Sequence, residues 1–480
     1  MQVLVVLADA GGQVVTRETL FQRCWGGVYV GDDSLNRAIM SVRKLAADIA
    51  GGSFEIETIP RTGYRLTGAD AAPLANPSEP DDETHPQGFS RRELASGTIG
   101  VAALAGIAGW SFLASRPQRR FDALLGSAER AIRSETADDR TVADLRQAVA
   151  LRPDSARAWG LLAYLTGIGT VSSDPKIAAP ALKQAQEAAA SAFAIDPKDP
   201  YALLAMFELQ GSTLDWAQRD GRLRQIIAID RSNTPAIGEL VLLTQAAGLN
   251  RESWSWNERA IALEPFSFDY LSKRALKLWI AGRTSQADKV IDQVVALYPA
   301  NPWPWWVRFL IFAMTDRPRA ARAMIDARPQ WLGPPGTASL WRAALDALEQ
   351  RSPENLAKAR DACVKAAEAS GSFAVDTVMI LSALDEIDAA FNIANGFLLS
   401  RGSVLAPSAA SPGSIVARGK NSVSDDMNEA TWRINTQYLF TPPCRTIRAD
   451  PRFLALCDGV GLTDYWRARG VRPDYQLSER

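Results

Sequence analysis

The spacing of apolar residues along the chain predicts a protein that is mainly α-helical. Between about residues 115 and 400, apolar positions recur every three or four residues, which is the period of helices with one buried face. The first 68 residues differ, because three helical stretches there precede a short segment, 54–59, in which apolar and polar residues alternate as in a strand. We therefore predict a small head with helices and a β-hairpin, followed by a long helical domain.

Helical stretches of the long domain end in the same way at regular intervals. The closing segments are 150–153, 194–197, 228–231, 262–265, 296–299 and 326–329, and their last positions are 44, 34, 34, 34 and 30 residues apart. A 34-residue period closed by Pro is the signature of tetratricopeptide repeats (TPR), so we predict a TPR-like α-solenoid over 115–400. Residues 401–426 are rich in Ser, Gly and Pro and predict a loop, and 427–480 predict a C-terminal capping segment.

A Pro-rich, acidic linker at 69–93 separates the head from a segment without charge. Residues 94–114 hold 21 uncharged residues, which as a helix would be about 31 Å long and would match a bilayer core. Four Gly would weaken a water-soluble helix of this segment, so we interpret it as a transmembrane helix.

The residues that flank this segment give two opposite indications of its orientation. The flanking Arg residues favour a cytoplasmic C-terminal side. Ser90-Arg91-Arg92 is instead similar to a twin-arginine export signal and favours a periplasmic C-terminal domain. We expect a single-pass protein of the bacterial inner membrane, with the N-terminus in the cytoplasm and the C-terminal domain in the periplasm.

The head contains several motifs in a defined order, at residues 14–20, 25–26, 34–39, 42–45 and 56–66. In this order, residues 1–68 resemble the OmpR-type winged-helix DNA-binding domain. The resemblance implies that 33–49 form the recognition helix, which lies in the major groove of double-stranded DNA, and that 60–63 form the tip of the wing. That family has a small sheet before its first helix. The sequence begins within that helix, so we expect either an upstream start or a head without this sheet.

The third predicted helix supplies most of the predicted DNA contacts. Its apolar positions Leu35, Ile39, Val42 and Leu45 recur at helical spacing and are expected to face the core of the head. The predicted DNA-binding residues, on this helix and on the wing, are Asn36, Arg37, Met40, Arg43, Lys44, Arg61, Thr62 and Tyr64. Arginines can bind phosphates or guanine edges, Asn36 can read adenine, and Arg61 can enter a minor groove. Seven Lys/Arg against seven Asp/Glu in the head predict weak binding by a monomer, which a homodimer on repeated half-sites would compensate.

Composition narrows the remaining chemistry. A net charge of -1 requires any DNA contact to come from a local basic cluster. The single His disfavours His-based catalysis and most zinc sites, and no nucleophile, metal or phosphate-loop motif is present, so we predict no enzyme, no metal site and no cofactor. Cys444 and Cys457 could form a disulfide in an oxidising compartment or could be isolated buried thiols.

Taken together, a winged-helix head, a membrane span and a repeat domain are similar to the CadC/ToxR type of membrane-anchored transcription regulator. This resemblance implies a one-component regulator whose head binds DNA and whose repeat domain senses a signal or binds a partner. Two alternatives remain. One is a TPR scaffold with a degenerate head, whose groove at Trp303, Trp305 and Trp306 binds a peptide or protein. The other is a soluble cytoplasmic winged-helix and TPR regulator.

Overall fold

The chain divides into two compact units, residues 1–100 and 101–480. The computed structural model describes residues 2–25, 35, 39–40, 42–43, 54–59, 62–68, 116–134, 136–168, 175–210, 214–333, 336–369, 371–399, 401 and 435–477. The predicted linker, the predicted membrane helix at 94–114 and, apart from Arg401, the predicted loop at 401–426 lie outside these residues. No helix within the described ranges is both long enough and apolar enough to cross a bilayer.

The head combines helices with a small three-stranded sheet. Its elements are α1 (Gln2–Asp9), β1 (Val15–Thr16), α2 (Arg17–Trp25), β2 (Phe54–Ile59) and β3 (Gly63–Gly68). The central strand β3 is antiparallel to β2, with Ile59 opposite Gly63, and antiparallel to β1, with Thr16 opposite Gly63. The predicted hairpin is therefore confirmed. The sequence did not predict β1, because two residues are too few to show the alternation of a strand.

The repeat domain is a succession of helical hairpins. Its helices in the described ranges are α3 (Arg116–Arg133), α4 (Asp139–Leu151), α5 (Ala156–Ile168), α6 (Pro175–Ile195), α7 (Pro200–Gln210), α8 (Trp216–Ile229), α9 (Thr234–Ala246), α10 (Asn250–Leu263), α11 (Phe268–Ile280), α12 (Thr284–Leu297), α13 (Pro302–Ala313), α14 (Pro318–Ala327), α15 (Thr337–Glu349), α16 (Pro353–Ala369), α17 (Ala374–Ala383) and α18 (Ile387–Leu399). Consecutive helices pair as α3 with α4 through α17 with α18, which makes eight hairpins in the described part of the chain.

The repeat period predicts where these helices end. Each of the six closing segments lies at the end of the second helix of a hairpin, and those helices end at Leu151, Ile195, Ile229, Leu263, Leu297 and Ala327. Five of the six segments end in Pro, which cannot continue a helix because it lacks a backbone N–H. Small residues such as Ala287 and Ala321 are fully buried within the second helices. One continuous apolar core runs through all eight hairpins, so each hairpin is stabilised by its neighbours.

The C-terminal segment, residues 435–477, packs on the turn that joins α9 to α10. Its helices are α19 (Arg445–Ala449), α20 (Arg452–Gly459) and α21 (Leu462–Arg469). Three consecutive carbonyl groups of the turn accept hydrogen bonds from the C-terminal segment. Thr436 Oγ1 donates to Ala246 O at 2.6 Å, Trp466 Nε1 donates to Ala247 O at 2.8 Å, and Asp474 N donates to Gly248 O at 2.9 Å. Carbonyls at a helix C-terminus have no partner within the helix, so the segment supplies the partners that α9 lacks.

The same segment also contacts the hairpin formed by α17 and α18. The backbone N–H of Ile447 donates to Ser382 Oγ at 3.3 Å, and Arg452 pairs with Asp388 at 2.7 Å. The guanidinium of Arg452 also lies over the ring of Phe391, 4.5 Å from its centroid. The segment therefore contacts both the fourth hairpin and the eighth. A terminal cap would contact only the last helices, so this segment covers more of the repeat domain than the predicted cap.

The two C-terminal cysteines do not form a disulfide. Cys444 and Cys457 are both buried free thiols, so the second of the two predicted alternatives describes this structure. Burial raises the pKa of each thiol to about 12. Cys444 lies beside the hydroxyl groups of Thr441 and Ser382, which partly offset this rise in the pKa of its thiol. The polar neighbours of the Cys444 thiol are therefore these two residues, and Cys457 is not bonded to it.

A carboxyl group is buried between the last two hairpins and should make stability depend on pH. Asp376 is 2% exposed, accepts a hydrogen bond from Trp341 Nε1 at 3.4 Å, and has a pKa raised by burial to about 7. Between pH 4 and pH 7 the unfolded chain is ionised at this position while the folded chain keeps its proton. Stability contributed by this group is therefore lost as pH rises through that interval.

Replacing Asp376 with Asn should remove this pH dependence, because the amide does not ionise. We expect the free energy of unfolding of Asp376→Asn, relative to that of the parent, to rise by on the order of 2 kcal/mol between pH 5 and pH 7. Urea titrations at both pH values measure this difference. Asp464→Asn is the matched control, since the Asp464 side chain is 77% exposed. A difference for Asp376→Asn that stays constant over this pH range would show that the carboxyl group titrates normally.

Candidate nucleic-acid interface

The core of the head fixes which face of the third helix is available to DNA. Leu35, Ile39 and Val42 are helical and buried together with residues of α1, α2 and the sheet. The helical period thus predicted the inward face correctly at these three positions, whereas Leu45 lies outside the described residues. The opposite face points to solvent, and Met40 on that face is 68% exposed. An exposed apolar side chain of this size can make contact with thymine methyl groups in a major groove.

Arg43 connects the third helix to the wing. Its Nε and Nη2 atoms donate to the carbonyl oxygen of Ile56 at 3.1 and 2.9 Å, and Nη2 also donates to Thr58 Oγ1 at 2.7 Å. Arg43 nevertheless remains an exposed residue. The guanidinium therefore holds the helix at a fixed position relative to β2. The sequence predicts that the Arg43 guanidinium contacts DNA. In this structure, the same guanidinium also bonds the third helix to β2.

Tyr64 belongs to the core of the head. Its side chain is 4% exposed, and its hydroxyl accepts a hydrogen bond from Arg17 Nη1 at 2.8 Å. The tyrosine ring is therefore not available at the surface for the DNA contact that the sequence predicted. Tyr64 packs with the apolar residues of the head, whereas the next residue of β3, Arg65, is only half-buried. Thr62, at the turn between β2 and β3, is exposed as expected for a wing.

Arg17 is a residue of this region that the sequence motifs did not identify. Thr16 Oγ1 accepts a hydrogen bond from the backbone N–H of Thr19 and so fixes the start of α2, which places Arg17 in its first turn. From there the backbone N–H of Arg17 donates to Thr62 O at 3.3 Å, while the side chain contacts Tyr64. Arg17 thus joins α2 to the wing in the way that Arg43 joins the third helix to it. The capping Thr was the available signal, but only the tertiary pairing shows what Arg17 binds.

Four of the predicted DNA-binding residues, Asn36, Arg37, Lys44 and Arg61, lie outside the described residues. Their contacts with DNA stay predictions from the sequence. The described part of the wing has a mixed charge, because Arg65 Nε pairs with Glu57 Oε2 at 2.7 Å on the exposed face of the hairpin. Such an exposed pair adds little net positive potential and little stability. The basic residues predicted to contact DNA therefore remain those of the third helix and the tip of the wing, as the sequence predicts.

The second candidate site, the tryptophan-lined groove of the repeats, is not an open surface. Trp305 and Trp306 are 7% and 4% exposed. Trp306 stacks on Trp303 with ring centroids 5.6 Å apart, and Trp305 stacks on Phe309 at 5.8 Å. Trp305 and Trp306 therefore pack in the interior of the repeats and do not line an open groove, whereas Trp303 is half-buried. Large aromatic rings bury more area by packing than by lining a groove, which accounts for their position.

The described residues also contain no metal-binding constellation. Within these ranges, no group of three or more His, Cys, Asp or Glu side chains is close enough to hold a metal ion.

The comparisons with known proteins concern mainly the head. Residues 1–66 match the family described as "Transcriptional regulatory protein, C terminal". The chain is 32% identical over 83 residues to the transcriptional regulator HilA of Salmonella typhimurium. The aligned segment makes up 17% of this chain and 14% of that protein. It is 34% identical over 67 residues to the cholera toxin homolog transcriptional activator of Vibrio parahaemolyticus, or 14% of this chain and 23% of that protein. The chain thus spans less than a quarter of the length of either relative.

Solved structures align with this chain at low similarity. PilF of Pseudomonas aeruginosa aligns with a TM-score of 0.34 and 14% identity, over 47% of this chain and 98% of that one. Yeast Tom70 aligns with a TM-score of 0.33 and 11% identity, over 57% and 59% of the two chains. The repeat architecture rests on the spacing and packing of the helices, to which these TM-scores add nothing. The head is thus similar, over residues 1–66, to the C-terminal domain of transcriptional regulatory proteins.

Proposed function

We propose that this chain is a transcription regulator whose winged-helix head binds double-stranded DNA. The match of residues 1–66 to a transcriptional-regulator family is the observation that supports this most directly. The geometry of the head agrees with it, because Leu35, Ile39 and Val42 are buried while Met40 and Arg43 are exposed on the same helix. This arrangement leaves one face of the third helix, together with the tip of the wing, for the grooves and phosphates of DNA.

DNA binding by the full chain is expected to depend on the third helix and the wing. We predict that an Arg43→Ala, Arg61→Ala variant binds a duplex from the chain's own upstream region at least about tenfold more weakly than the parent, because each arginine contact contributes about 1 kcal/mol or more. Fluorescence anisotropy at two salt concentrations measures the affinity, and the variant should also show a smaller salt dependence because it contacts fewer phosphates.

Arg140→Gln is the matched control for this experiment. Arg140 is exposed on α4 in the repeat domain, and its replacement removes the same charge as each substitution in the head. The control should bind DNA as the parent does. Equal affinities of the double variant and the parent would refute the assigned contacts, and a parent that shows no affinity for any duplex of that region would refute the function.

We also propose that the regulator is anchored in the bacterial inner membrane by residues 94–114, with the head in the cytoplasm and the repeats in the periplasm. The support is the 21-residue uncharged stretch in the sequence. Reporter fusions at residues 80 and 400 distinguish this arrangement from a soluble regulator. Cytoplasmic activity at 80 and periplasmic activity at 400 agree with anchoring, whereas cytoplasmic activity at both positions agrees with the soluble alternative.

For the repeat domain we propose the binding of a protein partner or of a second copy of the chain. A row of four exposed aliphatic side chains, each at the end of a second helix, supports this: Ile195, Ile229, Leu263 and Leu297. They are 34 residues apart and therefore occupy equivalent positions on successive hairpins. A regular row of exposed apolar groups is typical of an interaction surface. An Ile229→Lys, Leu263→Lys variant that keeps the parent's partners and oligomeric state would contradict this assignment.

A further inference from the structure

A cavity lies where the C-terminal segment meets the fourth and fifth hairpins. It has a volume of about 910 Å³ and is bounded by residues of α10, by the end of α11 and its following turn, and by the C-terminal segment. Sites for small organic molecules usually have volumes of about 300–1,000 Å³. The cavity is therefore large enough for a molecule with one or two rings, and it is partly open to solvent.

The charged groups around this cavity are strongly unbalanced. Its described lining includes five cationic side chains and a single carboxylate, and the five cations are Arg251, Lys277, Arg283, Arg445 and Arg448. The carboxylate of Asp474 is already engaged, since Oδ2 accepts a hydrogen bond from the backbone N–H of Arg251 at 2.7 Å and Oδ1 lies 3.7 Å from Arg251 Nε. Asp474 and Arg251 thus neutralise each other, and four cations are left without a carboxylate of the lining.

Two of these four basic groups, Arg448 and Lys277, lie in environments that would favour a bound anion. Among the described residues, Arg448 donates to the carbonyl oxygens of Leu439 and Thr441, and it lies close enough to Arg445 for their charges to repel. Lys277 is 3% exposed and donates to Gln245 Oε1 at 2.9 Å and to Ser253 Oγ at 2.7 Å. In the described ranges, the hydrogen bonds of both groups go to uncharged oxygen atoms. Burial lowers the pKa of Lys277 to about 7 and lowers the pKa of Arg448 from its usual value. Burial thus disfavours the charged form of both groups, and a bound anion would favour it.

The remaining walls of the cavity are aromatic and aliphatic. Trp254 and Ile280 lie on the side of the hairpins, and Phe440 and Tyr475 lie on the side of the C-terminal segment. The rings of Phe440 and Tyr475 have centroids 6.1 Å apart and form a continuous apolar surface. A ligand that fits these walls has a flat apolar body next to its charged groups.

We propose that this cavity binds a small organic anion that has at least two negative charges and an aromatic or similarly flat apolar body. Arg283 and Arg445 supply exposed guanidinium groups for the charged end, and the aromatic walls contact the body. Because the ligand contacts both the hairpins and the C-terminal segment, its binding stabilises the docked position of that segment. The proposal goes beyond DNA binding and does not depend on it.

Isothermal titration of the full chain, without DNA, tests the proposal with 1-naphthyl phosphate as the probe. We expect saturable binding of one probe per chain, and at least about tenfold weaker binding of inorganic phosphate and of neutral 1-naphthol, each of which lacks half of the recognised features. Naphthalene-2,3-dicarboxylate, measured in parallel, distinguishes a preference for phosphate esters from a preference for dicarboxylates. Arg283→Gln and Arg445→Gln should each weaken binding of the probe about fivefold to tenfold, since each removes a charge-assisted contact.

Arg140→Gln is again the control and should bind the probe as the parent does. Arg283 and Arg445 are both exposed, so their replacement should not affect folding, and thermal melting of each variant verifies this. The proposal is overturned if neither anionic probe binds, if 1-naphthol binds as tightly as 1-naphthyl phosphate, or if both arginine variants bind like the parent. The absence of DNA from the titration makes its outcome independent of whether the head binds DNA.

Discussion

Gly63→Ala is expected to unfold the head while the repeat domain stays folded. A Cβ atom at position 63 would lie 2.0 Å from the carbonyl oxygen of Val15 and 2.9 Å from the Cα of Thr16, at the point where β1 pairs with β3. These are backbone atoms, so no side-chain rotation relieves the overlap and the two strands must separate. Their separation exposes Val15 and Tyr64, which belong to the core of the head. We expect a loss of about 3–5 kcal/mol, which is close to the whole stability of so small a domain.

Differential scanning calorimetry of the full chain measures this effect. The transition of the head should disappear in Gly63→Ala while the transition of the repeat domain keeps its temperature, and affinity for DNA should fall by at least about 100-fold. Gly221→Ala is the control, because a Cβ atom at Gly221 in α8 meets no atom within 4 Å. That substitution should instead stabilise the repeat domain slightly, by about 0.5–1 kcal/mol. A head that melts normally in Gly63→Ala would show that β1 does not pair with β3.

The parts of the fold that the sequence predicted are those that depend on local chemistry. Helix ends in the repeats follow from Pro residues that lack a backbone N–H, and these recur because each repeat has the same length. The inward face of the third helix follows from the spacing of Leu35, Ile39 and Val42, all of which are buried. The hairpin follows from alternation over 54–59 and a Gly at its turn.

The parts that the sequence did not predict depend on pairing between distant segments. Trp466 and Ala247 are 219 residues apart, and no local pattern relates the two. Arg43 was correctly placed on the exposed face of its helix, but its hydrogen bonds to Ile56 and Thr58 depend on where β2 lies. Trp305 and Trp306 belong to a groove in only one of the alternatives that the sequence leaves open, and the structure shows that both rings are buried among the helices. The candidate DNA site is thus predictable as a helix face, whereas the bonds of its individual residues are not.

Trp466→Ala is expected to release the C-terminal segment from the repeats. The indole is 6% exposed, and its Nε1 donates to Ala247 O at 2.8 Å in the turn that follows α9. Truncation leaves a large cavity and removes this hydrogen bond, which together should cost about 4 kcal/mol of unfolding free energy. Because Trp466 is close to the contacts of Arg469 with Glu252, the loss should loosen the whole of α21. Urea unfolding measures the free energy, and limited proteolysis measures the exposure of residues 435–477.

Two further variants separate the causes of this loss. Trp466→Phe keeps most of the buried apolar area but cannot donate to Ala247, so its cost should be intermediate, about 1–2 kcal/mol. Leu454→Ala truncates a side chain of α20 that is 56% exposed, and it should change stability by no more than about 0.5 kcal/mol. If Trp466→Ala were no more destabilising than Leu454→Ala, the segment would not be docked on the fourth hairpin. In that case the cationic cavity between them would not form either, because one of its walls belongs to this segment.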